Sequence, residues 1–111
     1  MKRSGKVYIK NVFAGIVWES EEGFGFTYDE KYLANPIHGS VSKTLPLRKE
    51  PHPEKPSKTM IPFFDGLIPE GWFLNVASKN WKLDIRDRMG LLLNLCRDCI
   101  GAVSIEKNEN E

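Results

Sequence analysis

Cysteine and histidine are scarce in this chain, with two of each among 111 residues, and the scarcity removes most metal and redox chemistry. Cys96 and Cys99 form a Cys-x-x-Cys, but a zinc site needs two further ligands. Beyond carboxylates the only candidates are His38 and His52, which the sequence places in separate, polar, loop-like regions. A thioredoxin-like site calls for a strand immediately before the pair, whereas the residues here carry helical spacing. Both thiols read as reduced and structural, with Cys96 on a buried helix face and Cys99 near the helix end. No metal and no cofactor is expected. An excess of one charge is also lacking. Sixteen Lys and Arg against fifteen Asp and Glu leave a net charge of +1, so no global field draws the protein onto nucleic acid or an anionic membrane. No apolar run reaches the roughly 20 residues that span a bilayer, and the opening Met1-Lys2-Arg3-Ser4-Gly5-Lys6 leads into no signal-peptide core. The expected location is the cytoplasm.

Catalytic arrangements are missing as well. No serine sits in a nucleophile-elbow sequence, and neither histidine has a nucleophile and an orienting group beside it. Gly23-Phe24-Gly25 is too short a glycine pattern for a phosphate-binding loop. Phe64-Asp65-Gly66 and Arg86-Asp87 look like fragments of kinase signatures, but they come in the wrong order and lack the glycine-rich loop and the catalytic-loop Asn. No catalytic residue is assigned.

What is present is one domain over residues 1–111, with 41% hydrophobic and 28% charged residues, enough for a single core. Lys6–Lys10 and Val12–Glu19 are β-rich runs that turn near Asn11, and Phe24–Tyr28 follows a turn at Ser20–Gly23, giving an antiparallel meander. Gly15, Gly23 and Gly25 point to bulges or curvature. Asp29 caps a single helical turn that stops before Asn35-Pro36. Residues 48–58 carry Pro51, Pro53 and Pro56 among charges and read as an exposed loop.

The densest apolar stretch is Phe63-Phe64-Asp65-Gly66-Leu67-Ile68-Pro69-Glu70-Gly71-Trp72-Phe73-Leu74. Its glycines and proline force a bend, and a helix is expected to start near Ile68 or Pro69, with Glu70 on the positive end of its dipole. That helix fades by residues 78–80. Asp84 is the expected N-cap of a second helix over Ile85–Cys96, in which Ile85, Met89, Leu92 or Leu93 and Cys96 share a face. Gly101–Ile105 reads as a closing strand and residues 107–111 as a fraying tail. The fold class is therefore α+β: a small, curved antiparallel sheet or partial barrel with two main helices in the C-terminal half.

Two motifs at this separation, Phe63–Gly71 and Arg97-Asp98-Cys99-Ile100-Gly101-Ala102-Val103, together with the strand pair Val7–Trp18, resemble the N-terminal subdomain of HipA-type toxin kinases. The resemblance covers nearly the whole chain and departs from the family at Cys99, where a small Ser is common, and in the Pro-rich segment. A HipA kinase continues for several hundred residues with its ATP-binding parts, and free-standing versions of the subdomain are HipS-like. The resemblance implies a non-catalytic antitoxin that binds and neutralises a HipT-like serine/threonine kinase, with a HipB-like DNA-binding protein as the usual third member of such a toxin-antitoxin system. Partner binding is assigned to Leu67, Ile68, Pro69, Glu70 and Trp72, because tryptophan is enriched at binding hot spots and Phe73 beside Trp72 takes the inward position. The competing reading is a nucleic-acid-binding small barrel acting as an accessory transcriptional regulator, with Tyr8, Phe13, Phe24, Phe26 and Tyr28 on its strands.

Overall fold

The computed structural model describes residues 3–35, 37–68, 84, 86–96 and 102–108. Among these residues five strands and three short helices follow in the order β1 (Arg3–Ile9), β2 (Val12–Ser20), β3 (Gly23–Tyr28), α1 (Glu30–Ala34), β4 (His52–Ser57), α2 (Pro62–Asp65), α3 (Arg88–Leu95) and β5 (Val103–Lys107). The strands form an open antiparallel sheet in the order β4-β3-β2-β1-β5. It does not close into a barrel, so of the two architectures expected the curved sheet is the one adopted. No described helix is long and apolar enough to cross a membrane.

The meander forms where the turn chemistry allows it. Ile9 pairs with Val12, leaving Lys10 and Asn11 as a two-residue connection with φ of 49° and 68°. Positive φ at both central positions is the type I′ geometry whose twist matches a hairpin. The bulge falls one residue before Gly15. Val7 opposes Gly15 and Tyr8 opposes Phe13, so Ala14 is the extra residue on β2, and its carbonyl accepts the Asp29 N–H at 2.8 Å. Asp29 caps α1 by accepting the Tyr32 N–H at 3.3 Å. The bulge on β2 therefore sets where α1 leaves the sheet.

The proline-rich segment corrects the reading of 48–58 as loop throughout. His52–Ser57 joins the sheet as an edge strand, opposing β3 only through Phe24 with Ser57 and Phe26 with His52. Five residue steps on β4 face two on β3, so the strand bows away between its ends. Proline has no N–H to donate, and an edge that pairs only at its ends is where a sheet tolerates it. Pro53, Glu54 and Lys55 on the bow are exposed, and such charges and prolines blunt an edge against pairing with other chains. At Gly23, with φ +142°, a Cβ would meet the Ser57 carbonyl oxygen at 2.1 Å, so glycine is what lets β4 approach.

The core lies on one face of the sheet. Val7, Val17, Phe26 and Ile105 from the strands meet Phe64 of α2 and Met89, Leu91 and Leu92 of α3, all fully buried. Residues 89–93 of α3 are buried without a break, so this helix runs through the core rather than along the surface. It starts at Arg88 and its N-cap is Asp87, which accepts the Gly90 N–H at 3.2 Å. The expected cap, Asp84, instead closes the preceding turn by accepting the Arg86 N–H at 2.9 Å. The helix expected from Ile68 or Pro69 lies outside the described residues.

Of the two histidines expected in loop regions, His38 lies outside the strands and helices and His52 opens β4. His52 is buried, its Nε2 donating to the Pro46 carbonyl at 2.7 Å. His38 stacks on Tyr32 with ring centroids 4.2 Å apart and donates from Nδ1 to the Tyr32 carbonyl at 3.0 Å. They belong to an aromatic layer in which Tyr28 accepts the Val41 N–H at 2.8 Å and donates to the Leu45 carbonyl. Burial holds the Tyr28 and Tyr32 hydroxyls above the ordinary tyrosine range. One buried side chain is left out of such bonding. Ser4, opposite Trp18 in the β1–β2 register, is 1% exposed and its Oγ has no hydrogen-bond partner among the described residues. A buried hydroxyl left unpaired costs about 1–3 kcal/mol, so Ser4→Ala is expected to raise the free energy of unfolding by about 1 kcal/mol, checked by urea titration.

Candidate partner-binding surface

The segment that carries the expected partner-binding residues begins on a fixed base. Pro62 takes the first position of α2, where its missing N–H costs nothing. Ile61, Phe64 and Ile68, at spacings of three and four, turn one face inward with exposures of 5%, 0% and 2%. Phe64 packs against Phe26 at a centroid distance of 5.3 Å. Gly66 ends the helix, its N–H bonded to the Pro62 carbonyl at 2.9 Å, and the Cys96 thiol donates to the Leu67 carbonyl at 3.3 Å. The chain thus reaches residue 69 from a stretch pinned at both α2 and α3.

Of the five residues assigned to partner binding, two are described. Ile68, just past the end of α2, is a core side chain on the same side as Ile61 and Phe64, and its apolar surface is not open to a partner. Leu67 is half-buried against that core and retains an accessible side. Pro69, Glu70 and Trp72 lie outside the described residues, as do Arg97, Asp98 and Cys99.

Charge around this base is arranged by long-range pairing. Arg3 of β1 makes two forks, from Nε and Nη2 to Glu19 at 2.8 and 3.0 Å, and from Nη1 and Nη2 to Asp87 at 2.8 Å each. Paired planar forks are the strong form of the guanidinium–carboxylate interaction. They raise the Arg3 pKa further, Asp87 contributing more than Glu19, and Arg3 holds the Asp87 carboxyl below its usual range. Arg88 donates to Asp65 at 2.6 Å, tying the start of α3 to the end of α2.

Between these elements lies a groove of about 760 Å³. Phe24, Met60 and Pro62 supply its apolar lining, and Lys58, Asp65 and Arg86 its charge, together with the ends of the Arg3 network. Its residues come from four separate parts of the chain, which is why no sequence motif marks it. A smaller hollow of about 390 Å³ lies on the other side of Pro62, lined by Leu45, Arg48, His52 and Ile61. Among the described residues no cluster of His, Cys, Asp or Glu converges to hold a metal ion.

The family model described as HipA N-terminal domain matches residues 5–106. A protein of Haemophilus influenzae described as uncharacterized is 33% identical over 107 residues, covering 96% of this chain and 94% of its own length. A solved structure titled N-terminal domain of HipA toxin superimposes with a TM-score of 0.73 at 29% identity, covering 100% of this chain and 97% of that one. Strand order, core and these matches agree: the chain belongs to the HipA N-terminal domain family.

Proposed function

We propose that this protein is a HipS-like antitoxin, a non-catalytic cytoplasmic module that binds and neutralises a HipT-like serine/threonine kinase, with a HipB-like DNA-binding protein as the further member of the complex. The observation that carries this reading is the family match over residues 5–106, which includes both motifs and lies wholly within the toxin's N-terminal domain type. The H. influenzae relative supports it, since the match takes in 94% of that protein's length. In this reading neutralisation is obstruction. Trp72, with Pro69, Glu70 and the accessible side of Leu67, meets the kinase at or near its active site, and Ile68 anchors that stretch from the core.

Pull-down of the tagged protein from its host, with bound proteins identified by mass spectrometry, tests the class directly. A co-purifying short kinase of HipT type is the expected result. Recovery of nucleic acid alone sinks the antitoxin reading. Trp72→Ala is expected to weaken kinase binding by about 2 kcal/mol, the threshold of a hot spot, or roughly 30-fold in Kd. Titration calorimetry measures it, and an unchanged Kd removes Trp72 from the interface.

A further inference from the structure

The charges around the 760 Å³ groove are not equally available. Each of its three acids already holds a cation: Glu19 and Asp87 share Arg3, and Asp65 takes Arg88. The cations are less fully used. Lys58 is exposed and has no ion partner among the described residues. Arg86 is 89% exposed at its side chain and among the described residues pairs with Asp84 alone, at 3.4 Å, a surface contact that leaves most of its donors unused by those residues. What the groove offers an incoming molecule is an apolar lining from Phe24, Met60 and Pro62 under two available positive charges.

The groove also borders the proposed kinase-binding stretch. Asp65 and Gly66 line it, and Leu67 is the next residue along the chain. We infer that an acidic segment of the partner kinase seats in this groove, its carboxylates against Lys58 and Arg86 and its apolar side chains against Phe24, Met60 and Pro62. This rests on the antitoxin reading and extends the interface from the Leu67–Trp72 stretch across the start of α3. Exposed charges of this kind act chiefly on the rate of encounter and on register. The near-zero net charge of the whole chain makes a local cationic rim the source of any steering.

The test uses the full 111-residue chain and the kinase recovered in the pull-down, with association rates measured by surface plasmon resonance from low to high salt. Lys58→Glu with Arg86→Glu is expected to lower the association rate about tenfold at low salt and to reverse its salt dependence, the rate now rising as salt screens the repulsion. Lys58→Arg with Arg86→Lys restores both. Thermal unfolding of each variant reports whether the fold is retained, and the exposure of both positions predicts that it is. An unchanged association rate in the charge-reversed variant, alongside weakened binding by Trp72→Ala, overturns the groove assignment and leaves the antitoxin reading standing. Recovery of no kinase at all overturns the reading itself. Loss of binding to single-stranded DNA, with kinase association unaffected, reassigns the two cations to phosphate and also overturns the inference.

Discussion

Phe64→Ala should unfold this domain more readily than any surface change, at a cost of about 3–5 kcal/mol, the range for emptying a buried phenylalanine site. Phe64 is 0% exposed and is where α2 meets the sheet, with Phe26 at 5.3 Å and Phe63 at 5.2 Å between ring centroids. Truncation removes the transfer energy of the ring and both aromatic contacts. It also leaves a void that cannot collapse easily, because Pro62 and the Gly66 cap fix the backbone on either side. Domains of this size are stable by only about 5–15 kcal/mol, so the variant loses a large share of its stability. Its melting temperature should fall by well over 10 °C. Calorimetry checks this, and a shift of only a few degrees would show that Ile61 and Ile68 carry the packing without it.

Asp87→Ala is the second large effect, expected at about 2 kcal/mol. The side chain does two jobs: it caps α3 through the Gly90 N–H and it accepts two hydrogen bonds from Arg3. A lost N-cap costs about 1 kcal/mol. Removal of the carboxylate also leaves half of the Arg3 fork unpaired, a further charge-assisted loss, reduced because both side chains are more than a third exposed. The pH dependence has a defined sign. Arg3 holds the folded-state pKa of Asp87 below that of the unfolded chain, so this contribution is fully present above the unfolded value near 4 and is lost as pH falls through the folded one. Unfolding free energies of wild type and Asp87→Asn should therefore converge as the pH drops below 4. A gap that stays constant down to pH 2 would assign the cost to geometry alone.

What the sequence made legible was mostly local. Lys10-Asn11 signals its hairpin because asparagine tolerates positive φ, and Asp29 signals α1 because an acceptor precedes a helical turn. The runs around Val7, Val17 and Phe26 are rich in β-branched and aromatic residues, as strands are. The two family motifs carried the domain type. The misreadings have equally specific causes. Pro53 and Pro56, with Pro51 just before them, argued against β structure at His52–Ser57, but an edge strand that pairs only at its ends escapes that argument. Asp84 was read as the cap of α3, but Asp87 caps it and is also held by Arg3, 84 residues away in the chain. His52 read as a loop residue because Phe26 and Tyr28 of β3, which pair with it and pack edge-on against it, lie far off in the chain. The groove was invisible for the same reason.

The pairing of β1 with β5 fixes the order in which the domain can be completed. Gly5 faces Lys107 and Val7 faces Ile105, so one flank of the first strand made is covered by the last. At synthesis rates of about 5–20 residues per second, β1 waits several seconds beside β2 with an open edge and with Val7 lacking its neighbour. During that interval the nascent chain is most exposed to pairing with strands other than its own, and the arrival of Ile105 ends it.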